Sequence, residues 1–343
     1  MSNKHTSYDL KQMQSLPLKA KITMTQQRIS QWYEHWEGQV YVSFSGGKDS
    51  TVLKHIVDSM YDDVPAVFVN TGLEYPEIQK FAMSQKNVVT VRPEMRFDEV
   101  IKKYGYPVVS KEVAKKVHYF KKGSEWTKKY FDDSAVRADG KLSRYRVSNR
   151  WKKLADAPFE ISSYCCDVMK KRPAKKYTKE SGRKPIVGTM ATESQLRYHH
   201  WLKNGCNAFE SKSPTSQPLS FWTEQDILHY IKQFDVPYCS VYGEIVPVDD
   251  GEQFEGQLTT FDVLNDYEGI LLKTTGCDRT GCIFCMFGCH LEKEPNRFQR
   301  LKETHPRQYE YCIGGGEMVE GKWQPSKEGL GLGKVLDYIG VKY

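Results

Sequence analysis

From Thr25 to Glu37 (TQQRISQWYEHWE) apolar residues recur at helical spacing. Ile29, Trp32, Tyr33 and Trp36 share one face, which predicts a helix that Gly38 ends. Val40 to Phe44 (VYVSF) predicts a short strand running into a glycine turn. After the turn, Asp49 to Met60 predicts a helix with Val52, Leu53, Ile56 and Val57 inward. Pro65 to Asn70 predicts a buried strand, Tyr75 to Gln85 a helix, and Asn87 to Val91 a third strand. Strand and helix in alternation define an α/β fold with a parallel sheet covered by helices on both faces. Residues 100–160 break the rhythm and predict an inserted, partly helical subdomain. The pattern resumes with a helix near Asp167 to Ser181, a strand from Lys184 to Thr189, and a helix from Thr223 to Phe234 opened by a Thr cap with Asp226 three residues on. The expected division is a loose N-terminal arm at 1–24, an α/β domain at 25–235 with the insertion at about 100–160, and a loop-rich, Cys-containing C-terminal region at 236–343. Gly314–Gly316 and Gly329–Gly333 are expected hinges in that region.

Charge changes the picture in one place. Between residues 100 and 184, 24 lysines and arginines stand against 9 acids, a local excess of 15 on a chain whose total is +7. The region is interleaved with Tyr104, Tyr106, Tyr119, Trp126, Tyr130, Tyr145 and Trp151. A basic segment with aromatics is a surface for DNA, RNA or another polyanion; a solvated lysine-rich face is the plainer alternative. No apolar run reaches the roughly 18 residues of a membrane helix, and the polar first residues lack a secretory core. The expectation is a cytoplasmic protein with no membrane partner.

The turn after the first strand reads Ser43-Phe44-Ser45-Gly46-Gly47-Lys48-Asp49-Ser50. Its glycines let the backbone turn sharply, and the free N–H groups of the following helix make an anion site. Lys48 adds a positive charge; Ser45 and Ser50 add hydroxyls. The spacing is not that of a Walker loop, which needs four residues between its first glycine and Gly-Lys-Ser/Thr. Glu193 and Arg197 stand four apart beyond a strand's carboxyl end, where open α/β sheets bind ligands, and Arg197 is suited to gripping a phosphate or sulfate.

The loop resembles the PP-loop of the N-type ATP pyrophosphatases, Ser-Gly-Gly-x-Asp-Ser. The likeness extends along residues 25–310 to the PAPS reductase branch of that superfamily. Asn70-Thr71-Gly72-Leu73-Glu74-Tyr75-Pro76-Glu77, Tyr164-Cys165-Cys166-Asp167 and Gly188-Thr189-Met190-Ala191-Thr192-Glu193-Ser194-Gln195-Leu196-Arg197 each resemble its segments, with Met190 in place of the usual first Arg. So do Pro218-Leu219 with Trp222, Asp226, Tyr230 and Ile231, then Val236-Pro237-Tyr238 and Gly281-Cys282-Ile283-Phe284-Cys285. The resemblance implies an adenine nucleotide alpha hydrolase-like fold. It implies ATP, with Mg²⁺, held by Ser43, Ser45, Gly46, Gly47, Lys48, Asp49, Ser50, Thr71, Gly72, Gly188 and Glu193, and catalysis by Lys48, Asp49 and Arg197.

Nine cysteines are unevenly spaced, and Cys282-x-x-Cys285 is a chelating half-site. The residues leave two completions open: Cys277 and Cys289 nearby, or the tandem Cys165 and Cys166. The resemblance to sulfonucleotide reductases implies the second, holding a 4Fe-4S cluster; zinc is the alternative metal. Two enzymatic functions follow. One is cleavage of ATP to AMP and pyrophosphate to adenylylate an acceptor, in sulfur transfer or nucleic-acid modification, as the resemblance to DNA phosphorothioation ATPases implies, with a sulfur-donor or modification-complex protein as partner. The other is a PAPS or adenylyl sulfate reductase, although the reductases' C-terminal Glu-Cys-Gly-Leu-His is absent and Cys312 is only a weak substitute. A non-catalytic nucleotide-binding subunit of a modification or defence complex is the third reading.

Overall fold

The computed structural model describes residues 3–248 and 270–343. The chain divides into two compact units, each assembled from separate stretches. The first comprises Met1–Asn70, Glu74–Val91 and Ala174–Thr280; the second comprises Thr71–Leu73, Arg92–Pro173 and Gly281–Tyr343. The 25–235 and 236–343 division is therefore not reproduced as contiguous blocks, because the C-terminal region contributes to both units.

The first unit is built on a six-stranded sheet in the order Val88–Val91, Ala66–Val69, Val40–Phe44, Lys184–Val187, Thr215–Ser216, Asn207–Ala208. Pairing is parallel except at the last, antiparallel edge. The chain starts at the third position, builds outward to one edge, then returns to build the other side. The order therefore reverses between Val40–Phe44 and Lys184–Val187, and a sheet of this kind opens a crevice at that reversal, beyond the strands' carboxyl ends. Val40, Val42, Ile186, Val52 and Ile56 are buried at the sheet's centre. The Thr223 cap forms as expected: its side chain accepts from Asp226 N while Asp226 accepts from Thr223 N, opening the helix Glu224–Gln233. Trp222 and Tyr230 on this segment lie in the core.

The N-terminal arm is not loose. Helices run Ser7–Gln14, capped by Thr6 and Asp9, and Leu18–His35, which starts well before the expected Thr25. Their anchors are tertiary. Lys21 Nζ donates to both Asp226 oxygens at 2.9 and 2.7 Å in a fully buried pair, and Trp222 Nε1 donates to Thr25 Oγ1 at 2.9 Å. A lysine and a threonine break the apolar pattern, so periodicity hides this part of the helix.

In the second unit Val108–Val109 pairs in parallel with Met286–Phe287, and the buried Tyr106 donates its hydroxyl to Leu330 O at 2.8 Å. The inserted region is partly helical as expected, with Lys111–Lys121 its longest helix. The two glycine clusters are packed rather than hinged. Gly315 bridges to Leu330, Gly331 N donates to Gly314 O at 2.8 Å, and a Cβ on Gly315 would meet Gly329 N at 2.3 Å. No helix among the described residues is long and apolar enough to cross a membrane.

Candidate nucleotide and cysteine sites

The turn after Val40–Phe44 closes on itself. Gly46 takes a φ of +73°, a left-handed conformation that favours glycine, and a Cβ there would press on Ile78 at 3.1 Å. Gly47 is the N-cap of the helix Lys48–Asp58. Ser45 and Ser50 hydroxyls lie 3.0 Å apart; Ser50 Oγ also accepts from Ser45 N and donates to Gly47 O. These bonds hold the loop open toward a cavity of about 280 Å³ at the sheet's reversal.

That cavity brings together Ser43, Ser45, Gly47, Lys48, Asp49 and Ser50 from the loop with Gly188, Glu193 and Arg197 from beyond Lys184–Val187. Gly188 belongs there for a steric reason: a Cβ would stand 2.9 Å from the Asp49 carbonyl oxygen. Glu193 sits at the centre of a charge network. It accepts from Met190 N at 2.8 Å and pairs with both Arg197 and Arg279. Thr71 and Gly72 fall in the second unit, where Leu73 N donates to Thr71 Oγ1, and they do not line this cavity.

Sequence reasoning missed Glu224, Tyr242, Asp278, Arg279 and Thr280, all of which line the cavity. Lys48 Nζ donates to Glu224 Oε1 at 2.9 Å and lies 5.1 Å from the centre of the Tyr242 ring. Tyr242 OH is 2.6 Å from Thr280 Oγ1 and receives the Lys48 N–H at 3.4 Å. The polar run Asp278-Arg279-Thr280 leading into Gly281-Cys282 was the available signal; Tyr242 had none. Burial, with Glu193 and Glu224 nearby, pushes the Asp49 carboxyl up to about 6 against the pull of Lys48 and Arg279. Burial likewise raises the Tyr242 phenol.

In the second unit, Cys165, Cys166, Cys282 and Cys285 line one cavity of about 20 Å³ with Leu73, Phe97, Pro107, Met169 and Lys170. The Cys165 thiol donates to Cys166 Sγ at 3.9 Å. That bond, together with Lys111, Lys170 and Lys171, pulls the Cys166 thiol down to about 6. The Cys282–Cys285 turn is closed by Cys285 N donating to Cys282 O, and Arg297, paired with Glu292, donates to Cys285 O at 2.9 Å. Cys289 is buried and donates to Met286 O, Cys277 belongs to the first unit, and neither lines the cavity. Among the described residues, no three or more His, Cys, Asp or Glu side chains converge on a position for a single metal ion. The cavity's walls are mostly apolar with Lys170 among them, and sulfur ligands of this kind suit zinc or an iron–sulfur cluster rather than Mg²⁺ or Ca²⁺.

A glycine turn and helix N-terminus at the reversal point of a mostly parallel sheet define an α/β protein with a candidate anion site at its carboxyl edge. The phosphoadenosine phosphosulfate reductase domain model matches residues 39–136 and 126–287, and the chain belongs to that family. It is 21% identical over 308 residues to the uncharacterized protein MJ0066 of Methanocaldococcus jannaschii, covering 86% of this chain and 48% of that one. It is 31% identical over 109 residues to the uncharacterized protein MJ0973 of the same organism, covering 30% of this chain and 26% of that one. The chain thus spans about half the length of the first curated relative and a quarter of the second. Among solved structures, a phosphoadenylyl-sulfate (PAPS) reductase from Candida auris in a phosphate complex aligns at a TM-score of 0.36 and 17% identity, covering 70% of this chain and 92% of that one.

Proposed function

We propose that the protein cleaves ATP to AMP and pyrophosphate on the loop 45–50, adenylylating an acceptor in sulfur transfer or nucleic-acid modification. The observation that supports this most is the intact Ser45-Gly46-Gly47-Lys48-Asp49-Ser50 loop facing a cavity large enough for nucleotide phosphates. In this reading the β- and γ-phosphates lie against the N-terminus of the helix Lys48–Asp58, with Lys48 leaving Glu224 to meet them. Arg197 and Arg279, held by Glu193, meet the charge that develops on the α-phosphate under attack. Mg²⁺ would accompany the phosphates, and Asp49, half-buried at the start of the loop helix, is the acid best placed to answer it.

Cys165, Cys166, Cys282 and Cys285 are proposed to hold a 4Fe-4S cluster, with zinc as the alternative. Such a cluster supplies sulfur-handling or electron-transfer chemistry. The protein's part is to present four thiolates and, through Arg297, to fix the Cys282–Cys285 turn. A sulfonucleotide reductase is the second reading, which the family match also supports. Within this chain Cys289 and Cys312 are both buried and burial pushes their thiols up, which favours neither as the accessible nucleophile such a reaction needs.

The test is product analysis with ATP and Mg²⁺, with and without oligonucleotide acceptors. AMP and pyrophosphate, abolished by Lys48→Ala, are expected. ADP as the main product would refute the cleavage site. Binding without turnover under every condition would make the chain a non-catalytic nucleotide-binding subunit. Sulfite from PAPS would establish the reductase.

A further inference from the structure

The second unit holds a pocket that the nucleotide and cysteine sites do not use. It has a volume of about 90 Å³ and is lined by Lys115, His118, Tyr119, Ser163 and Tyr164. His118 is 5% exposed, and its Nδ1 lies 3.2 Å from Ile161 O. Burial, with Lys122 nearby, holds this imidazole below its usual range and so favours the neutral ring. A neutral ring facing a carbonyl through Nδ1 carries its proton there, which leaves Nε2 as an acceptor. The Tyr119 and Tyr164 hydroxyls are 3.2 Å apart, so one donates to the other and a donor remains for a ligand. The pocket therefore offers aromatic walls, the His118 imidazole, the paired tyrosine hydroxyls and the exposed amine of Lys115.

Its surroundings continue the theme. Tyr119 packs on Trp126 with ring centroids 5.8 Å apart, and Trp126 on Tyr130 at 5.9 Å. Trp126 is 43% exposed and Tyr145 66%. The buried Lys116 donates to Tyr145 O and lies over the Tyr130 and Tyr145 rings, anchoring both. Lys122, Lys128 and Lys129 are exposed, Lys128 pairs with Glu125, and Lys129 Nζ lies 5.4 Å from the centre of the Tyr130 ring. Lys121 differs: it donates to Ala157 O and Phe159 O at 2.8 and 2.9 Å and is a structural residue.

We propose that this surface binds single-stranded nucleic acid, one base entering the His118–Tyr119–Tyr164 pocket, neighbouring bases stacking on Trp126 and Tyr145, and phosphates meeting Lys115, Lys122 and Lys129. Duplex DNA or RNA presents its bases stacked and paired, so neither the pocket nor exposed rings can engage them; a single strand offers both faces and edges. The inference deepens the proposed function by naming the acceptor class, and it is tested without ATP, so that its failure is separate from that of ATP cleavage.

The experiment is fluorescence anisotropy of the full chain with a labelled 12-nucleotide oligothymidylate, its oligouridylate counterpart, and a duplex of equal length. The single strands should bind at least tenfold more tightly than the duplex. The log–log salt slope should be about −0.7 per phosphate contacted. Trp126→Ala should weaken single-strand binding roughly tenfold, while Trp126→Phe restores much of it. Lys115→Glu should weaken binding and flatten the salt slope. The DNA and RNA arms show which strand is preferred. Equal binding of duplex and single strand, or no effect of Trp126→Ala, would overturn the proposal. Trp126 is 43% exposed but packs on Tyr119 and Tyr130, so circular dichroism and thermal melting of Trp126→Ala accompany the binding curves, and Trp126→Phe, which keeps a ring there, separates lost stacking from lost packing. No binding at low salt would return the region to a solvated lysine-rich face.

Discussion

Lys48 of the glycine loop and Glu224, the first residue of the helix Glu224–Gln233, form an ion pair at 2.9 Å beside the candidate phosphate cavity, so the loop's cation is already engaged. The lysine is nearly buried and Glu224 is partly exposed. In the proposed phosphate site the phosphate displaces a carboxylate, and affinity is the difference between two charge-assisted contacts. Glu224→Gln removes the competitor while keeping a neutral side chain of similar shape. Pyrophosphate without Mg²⁺ is expected to bind it several-fold more tightly than wild type, a gain of about 1 kcal/mol. Lys48→Ala is expected to lose binding. Titration calorimetry checks both, and weaker binding by Glu224→Gln would mean that the carboxylate supports the ligand instead.

Asp49 gives a pH signature. Its folded value of about 6 lies above the 3.8 of an ordinary aspartate. Between those values the native chain holds a proton that the unfolded chain has released. Stability from this group therefore falls as pH rises through that window, and the full cost is present above about 6. Asp49→Asn removes an ionisation that burial opposes. It should raise the melting temperature by a few degrees at pH 7.5, equivalent to roughly 2–3 kcal/mol, with the gain shrinking toward zero near pH 4. Thermal denaturation at pH 4, 5 and 7.5 decides. A variant less stable than wild type at pH 7.5 would show that Asp49 is stabilised by its cations. The same substitution should abolish ATP cleavage, as expected where a site is built against its own stability.

The α/β pattern was legible because apolar strands and amphipathic helices carry their periods locally, as Val40–Phe44 and Lys48–Asp58 do. The loop was legible because six consecutive residues suffice to form it. The tandem cysteines and Cys282–Cys285 line one cavity although about 120 residues separate them; the family likeness grouped them, and spacing did not. The rest rests on distant partners. Lys21 is buried only because Asp226 meets it, so no pattern near residue 21 marks the helix. Tyr242 ends the short turn Ser240–Tyr242 and Arg279 follows the strand Leu272–Thr274, and both reach the candidate cavity through tertiary packing that no local period marks.

Gly188 offers a steric test of the crevice. The strand end passes so close to the loop helix that a Cβ would lie 2.9 Å from the Asp49 carbonyl oxygen and 3.2 Å from its carbon. Both are backbone atoms, which cannot rotate away. Gly188→Ala should therefore push the strand end from the loop, costing about 1–3 kcal/mol of stability and weakening nucleotide binding at the same time. Denaturant unfolding and nucleotide titration on the same preparation check this. Unchanged values of both would mean that the two segments part freely.

The cysteine cavity makes the last prediction. Four cysteines line one small cavity, and bringing their thiolates onto a common centre is unfavourable unless a cation joins them. Protein purified anaerobically should contain iron and acid-labile sulfide and show a broad visible absorbance. Cys165→Ser, Cys166→Ser, Cys282→Ser and Cys285→Ser should each reduce iron content and lower the stability of the second unit. Cys277→Ser should leave both unchanged, because Cys277 belongs to the first unit. Arg297→Met should lower iron retention through the Cys285 carbonyl it holds, without removing a thiol. Iron quantification and circular dichroism read the series. Stoichiometric zinc without iron would replace the cluster by a single ion, and loss of metal in Cys277→Ser with retention in Cys165→Ser would move the ligand set to the local cysteines.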